Sequence, residues 1–302
     1  MAVAVLRIGL CLAQKYPVIE ILNINEKGNF IMEIINFKPE DRLGKVYTEH
    51  SIFEQLQQYF KFYDSLSFSI MSWHAQGTLA LMNLDTYAYS SMKGTIESIK
   101  DTLRKGRIND SYALLRKYYD STIINVYTNL YLSDNYSIEN FVVTKIDNWR
   151  KGTETIPEYR VMSKYIKDSS KLAPINDLLK RDDRYKKIRD RCNDHTHYNF
   201  YHHLLLNDNE IHNPNRVKYL NVFAKDIEAI FIQHFAFIFY LNDHYMMSSD
   251  YADYMEMGMT PEEDSQYWVA NFIQETFDEV IKPKRYDIAK ELKEKTLMQL
   301  EL

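Results

Sequence analysis

The chain has 302 residues, of which 45% are apolar and 26% charged, with a formal net charge of −5 at pH 7. That balance excludes a disordered chain and a generic polyanion binder, and it suits a globular protein long enough to bury a substantial core. The two cysteines, Cys11 and Cys192, exclude a disulfide framework and fit a reducing, cytoplasmic setting.

Residues 1–13 are apolar but interrupted by Arg7, too short for a membrane span and unlike a secretory signal. Two β-prone runs, 18–24 and 30–37, flank Gly28-Asn29, which is a hairpin signal, and Pro39 ends the second run. Residues 1–50 therefore read as a small N-terminal appendage with a β-hairpin. At Ser51-Ile52-Phe53-Glu54 the spacing of serine and glutamate matches a capping box and predicts a helix of about 25 residues. Apolar periodicity predicts further helices over 85–105, 109–132, 157–167, 174–180, 181–206 and 216–245. A linker helix begins at Ser137 and carries Trp149, and loops are expected at 152–157 and 207–215. Thr260-Pro261-Glu262-Glu263 reads as a helix start, Pro283 as a break, and 287–300 as the last helix. Eight glycines and seven prolines are few breakers for this length. The fold class is all-α: an antiparallel helical bundle over 51–245, with an acidic C-terminal helical extension over 246–302. The 24 tyrosines are expected mainly in the core, with base stacking as the sharper alternative for exposed ones.

Charge is distributed unevenly. Residues 171–191 hold eight Lys or Arg against four acids, and residues 250–279 hold nine acids and no Lys or Arg. Each is read as a solvated helix face or, functionally, as a strand-steering patch followed by an acidic segment that shields it. The basic segment runs into Arg189-Asp190-Arg191-Cys192-Asn193-Asp194-His195-Thr196-His197-Tyr198-Asn199-Phe200-Tyr201-His202-His203. Two arginines there have a histidine six positions downstream, Arg189 with His195 and Arg191 with His197. A guanidinium fork holds a phosphate and its developing charge, while an imidazole titrates close to working pH.

The stretch Lys105-Gly106-Arg107-Ile108-Asn109-Asp110-Ser111-Tyr112-Ala113-Leu114-Leu115-Arg116 resembles the first core helix of HEPN domains, and 189–199 resembles their R-x4–6-H signature. The resemblance covers roughly residues 51–245. It implies a helical bundle that dimerises, and a metal-independent endoribonuclease without cofactor that acts in toxin or anti-phage systems. It also implies RNA as substrate and a protein antitoxin or other defence-system partner. In that family the arginine and histidine of two protomers meet at the dimer interface. Carried onto this chain, Arg191 and His197 match best, with Asn193 and Asp194 between them; Arg189 and His195 form the second candidate pair. A subgroup carries a tyrosine two residues after the histidine as a target for adenylylation. Here that position is Asn199 and Tyr198 follows His197, so such regulation is not expected.

Six residues turn an ideal helix by about 600°, leaving Arg191 and His197 about 120° apart, whereas Arg191 and His195 share a face. One helix alone therefore does not easily build the Arg191–His197 site, and two helices across a two-fold axis do. The expected reaction is attack of the RNA 2′-hydroxyl on phosphorus. His197 serves as acid or base, Arg191 stabilises the charged oxygens, and Asn193 or Asp194 orients the groups. Arg184, Lys186 and Lys187 would steer the strand, and Tyr198 and Tyr201 would stack bases. Arg116 is expected to pair with Asp120. Two rival readings are a dimeric scaffold that binds RNA or nucleotide without turnover, and a metal hydrolase using His195, His202, Asp194 and His203.

Overall fold

The computed structural model describes residues 42–71, 84–208, 213 and 215–302, and in addition the backbone of 20–24 and 30–34. The apolar start, Cys11, the Gly28-Asn29 turn, Pro39, the stretch after Met71 and most of 209–214 lie outside these residues.

Strand β1 (Glu20–Ile24) pairs antiparallel with β2 (Phe30–Ile34), with Leu22 opposite Met32. Everything else among the described residues is helix and connection. A four-residue helix, α1 (Lys45–Thr48), leads into α2 (Ile52–Met71), α3 (Leu84–Arg104) and α4 (Ile108–Asn135). α2 packs along α3, and α3 along α4. A three-residue turn centred on Gly106 reverses the chain between α3 and α4. Gly106 sits at φ +77, the Gly106 and Arg107 amides bond back to the Leu103 and Thr102 carbonyls, and a Cβ there would lie 2.7 Å from Leu43 Cδ2. The 28-residue α4 is the central element, touching α3, the later helices and the candidate site.

Shorter helices follow: α5 (Thr144–Arg150), α6 (Tyr159–Asp168) and α7 (Ala173–Leu179). The linker helix thus begins at Thr144, later than Ser137. The single helix expected over 181–206 is two helices, α8 (Arg184–Thr196) and α9 (Tyr201–Leu205), separated by a turn. The long α10 (Arg216–Leu241) is buried around nearly its whole circumference from Ile227 to Phe239, as its apolar run predicts.

After α10 come α11 (Asp250–Glu256), α12 (Asn271–Thr276) and α13 (Tyr286–Lys295). A π-helical turn, Phe277–Ile281, continues α12 to Lys282–Lys284, where Pro283 ends it. No helix starts at Thr260. Gly258 terminates α11 instead, its φ of +68 letting the Gly258 and Met259 amides bond the Met255 and Tyr254 carbonyls. The Glu262 carbonyl is then taken by the amide and hydroxyl of Ser265, so Glu263-Asp264 forms a turn. The C-terminal segment joins the same core as the bundle: Ile273, Phe277, Ile281, Ile288, Leu292 and Leu300 are fully buried there. Its acidic side chains line the outside of a structural element. The tyrosines follow the expectation of a core role, with Tyr47, Tyr59, Tyr63, Tyr89, Tyr112, Tyr118, Tyr119 and Tyr127 buried.

Candidate functional site

α8 enters the body through Ile188, Cys192 and His195, three buried residues at the i, i+4, i+7 spacing of one helical face. This stripe presses α8 onto α4 and α10. The two arginines on either side of it, Arg189 and Arg191, are both engaged. Arg189 donates to Asp120 at 2.6 Å and lies 3.2 Å over the Tyr159 ring. Arg116 bonds Asp120 at 2.9 Å, as its i,i+4 spacing predicts, and also reaches Asn193.

Arg191 makes a two-pronged contact with Asp226 of α10, Nε at 2.7 Å and Nη2 at 2.8 Å. Asp226 is 4% exposed, and burial pushes its carboxyl above the usual range while the guanidinium opposes that shift. Its hydrogen bonds to Asp226 hold Arg191 firmly charged. His195 is 1% exposed. Its ring stacks on Tyr112 at 3.9 Å and on His203 at 4.0 Å, and its Nδ1 lies 2.8 Å from Asn109 Oδ1. Burial, and then the neighbouring His203, push this imidazole down to about 3, so it is neutral at working pH. Arg189 and His195 are thus turned to different neighbours, and His195 lies in the interior. Arg191 and His195 do share a side of α8, joined through Asp226 and Tyr112.

α8 ends in a Schellman turn. The Asn199 amide bonds the Asp194 carbonyl at 3.0 Å, and the Tyr198 amide bonds the His195 carbonyl at 3.3 Å. The same pairing closes α3, α5 and α11, where the left-handed position is Gly106, Gly152 and Gly258. In α8 that position is Tyr198, at φ +50. A bulky residue in this region carries backbone strain, which the Asn199 side chain offsets by donating to Asp194 at 2.7 Å. The turn leaves His197 exposed at the C-cap, followed by a strip of exposed aromatic and imidazole side chains: Tyr198, Phe200 (53% exposed), Tyr201 (76%) and His202. His203 turns inward, its Nδ1 donating to the Asp194 carbonyl at 3.1 Å.

Of the basic residues expected to steer a strand, Arg184 is paired with Asp182 and Lys187 with Asp183, while Lys186 lines a cavity beside α8. Of the four groups considered as zinc ligands, His195, His203 and His202 lie ring against ring, at 4.0 and 4.3 Å, while the Asp194 carboxylate accepts from Asn199. Among the described residues no cluster of His, Cys, Asp and Glu has the arrangement a metal ion requires. Reasoning from the sequence missed Asp226, the carboxylate that fixes Arg191. Its signal was its position: a charged residue directly before the apolar run that starts at Ile227.

No protein-family model matches the chain, and neither the curated proteins nor the solved structures contain a match to it. Among the described residues no helix is long and apolar enough to cross a membrane.

Proposed function

We propose that the chain is a cytoplasmic, metal-independent endoribonuclease of the HEPN kind, working as a homodimer in a toxin or anti-phage system with an antitoxin or defence partner. The observation that carries this reading is the tyrosine-closed turn at the end of α8. It presents His197 and an aromatic strip to solvent, six residues along the chain from Arg191, an arginine whose orientation is fixed by Asp226. Two of the five Arg191 N–H donors hold Asp226; the other three are the donors available to a phosphate. In the proposed step one imidazole takes the 2′-hydroxyl proton and O2′ attacks phosphorus. The 5′-oxygen leaves and receives a proton from a second imidazole, giving a 2′,3′-cyclic phosphate and a 5′-hydroxyl. A dimer supplies both imidazoles from its two His197 residues. Bases stack on Tyr198 and Tyr201. His195 acts from the interior, as a positioning residue under the turn.

The test is incubation of total RNA and tRNA with the purified protein in chelator. Cleavage that disappears in His197→Ala, with unchanged circular dichroism, supports the assignment; undiminished cleavage removes it. A second reading, a scaffold that binds RNA without turnover, is favoured by one observation: Arg189 and Arg191 are each paired with a carboxylate of the same chain, Asp120 and the buried Asp226. Retarded RNA whose length stays constant over hours selects that reading.

A further inference from the structure

Gln233 and His234 are the only two polar residues in the stretch 229–239 of α10, and the fold treats them differently. His234 is fully satisfied, Nδ1 with Tyr63 at 2.7 Å and Nε2 with Asn125 at 3.0 Å. Gln233 is 9% exposed, and its buried Oε1 has no hydrogen-bond partner. Buried acceptors in native folds are mostly paired, so an orphan at a cavity wall points to a water or a ligand atom there.

Gln233 lines a cavity of about 300 Å³ between α4, α6, α7, α8 and α10. Tyr119 and Tyr159 stand edge to face in its wall at 6.1 Å, and the Arg189 guanidinium covers the Tyr159 face. Exposed Lys167 and Lys186 stand on its rim, and neither makes an ion pair among the described residues. The two acids of the same rim, Asp182 and Asp183, are already neutralised by Arg184 and Lys187. The cavity therefore combines an apolar aromatic wall, the carboxamides of Gln233 and Asn176, of which Asn176 is bonded to the Ile166 carbonyl, and a surplus of cations at the mouth.

We propose that this cavity binds a purine nucleotide, distinct from the cleavage site at the end of α8. The base lies against the tyrosines, and its exocyclic amine and ring nitrogen meet the Gln233 amide, the pairing that carboxamides make with adenine. The phosphate is held at the mouth by Lys167, Lys186 and Arg189. The volume, at the low end of small-ligand sites, fits one mononucleotide rather than a dinucleotide. The same chemistry could be offered by a free nucleotide or by the last nucleotide of an RNA strand.

Calorimetric titration of the full chain with AMP, adenosine, inorganic phosphate and a short 3′-adenosine oligonucleotide tests the site. AMP is expected to bind, and adenosine and phosphate each about tenfold more weakly or worse. Gln233→Leu is nearly isosteric and removes the orphan acceptor, so it should keep the melting temperature while weakening AMP about tenfold. Lys186→Ala, an exposed change that leaves the core untouched, should weaken AMP and leave adenosine unchanged. Tighter binding of the oligonucleotide than of AMP, with the same sensitivity to both variants, makes the source an RNA end; equal or weaker binding makes it the free nucleotide. No heat from any nucleotide up to about 1 mM, or AMP binding indifferent to both variants, overturns the proposal.

Discussion

Asn109 grips His195 with both ends of its amide: Nδ2 donates to the His195 carbonyl at 2.9 Å, and Oδ1 lies 2.8 Å from Nδ1. Because Nδ2 is already committed as the donor, Oδ1 must accept, and this fixes the proton of the neutral ring on Nδ1. The first residue pair of α4 is thereby tied to the last turn of α8, just inside the strained Tyr198 turn. Asn109→Leu leaves the ring N–H of His195 unpaired in the interior and its carbonyl with the Tyr198 amide alone, and is expected to cost about 1–3 kcal/mol. Urea denaturation measures it; an unchanged midpoint would show that the contact carries no stability.

Stability is expected to fall as pH drops below about 6.5, the ordinary value for histidine. Burial holds His195 and His234 down to about 3 in the folded chain, so the unfolded chain binds more protons between those limits. For His234 the hydrogen bonds also fix the tautomer of the neutral ring. Nε2–H donates to Asn125, whose own amide is spent on Asp85, so Nδ1 accepts from Tyr63 and has no room for a proton. Each group contributes a slope of about 1.4 kcal/mol per pH unit within the window. Asp85 and Asp226 act oppositely, since burial raises them and the folded form holds their protons longer just above the ordinary carboxylate range. The net loss should therefore be steepest between about pH 6 and 5. Urea midpoints at pH 7, 6 and 5 check this, and His234→Gln should flatten the slope by about half.

Removing Arg191 tests structure and chemistry together, and a double variant separates them. Arg191→Ala strands the buried Asp226 carboxylate; because the arginine side chain is itself 36% exposed, the cost is nearer about 2 kcal/mol than the full penalty of a buried pair. Arg191→Met with Asp226→Leu removes both charges and should recover that stability. If cleavage stays absent in the recovered double variant, the guanidinium serves the phosphate. If cleavage returns, its role was only to satisfy Asp226.

Much of the helical architecture was legible in the sequence. Ser51 marked the start of α2, Gly106 the turn into α4, and the largely apolar run after Asp226 the buried course of α10. The break in the cluster helix was not legible. Three of the helices end on a glycine that announces the left-handed position, whereas α8 ends on Tyr198, which carries no such signal. The Thr260 start failed for the converse reason, since local capping chemistry there was overridden by Gly258 and by Ser265 claiming the Glu262 carbonyl. At the site, the 105–116 stretch and the Arg/His cluster lie against each other through Asn109–His195 and Arg116–Asn193, contacts between helices that the sequence spacing did not reveal. Nor could spacing reveal which histidine faces inward, because that depends on where the helix stops.

Tyr198→Gly separates the backbone role of the turn from its side chain. Glycine relieves the left-handed strain, worth about 1 kcal/mol, and this offsets its greater freedom in the unfolded chain, so stability should hold within about 0.5 kcal/mol. Tyr198→Val, β-branched in the same conformation, should destabilise by about 1–2 kcal/mol. If the ring stacks a base, Tyr198→Gly should weaken binding of single-stranded RNA by about fivefold or more. Fluorescence anisotropy with a labelled oligonucleotide reads that loss, and unchanged affinity would assign the ring no contact with RNA.

Truncation after Tyr245 distinguishes a shielding segment from a structural one. A detachable shield over the basic patch would give a folded, more active protein on removal. Yet Ile273, Phe277, Ile281, Ile288 and Leu292 are buried against the bundle, and Met247 and Val269 form a bridge at the root of the segment. At about 1.5–3 kcal/mol for each large apolar side chain, these five residues alone contribute on the order of 10 kcal/mol, comparable with the entire stability of an ordinary domain. The truncated chain is therefore expected to lose cooperative unfolding and to aggregate, as followed by circular dichroism and size-exclusion chromatography. A monodisperse, cooperatively melting product with increased RNA cleavage would restore the shield and show that the bundle supports itself without these residues.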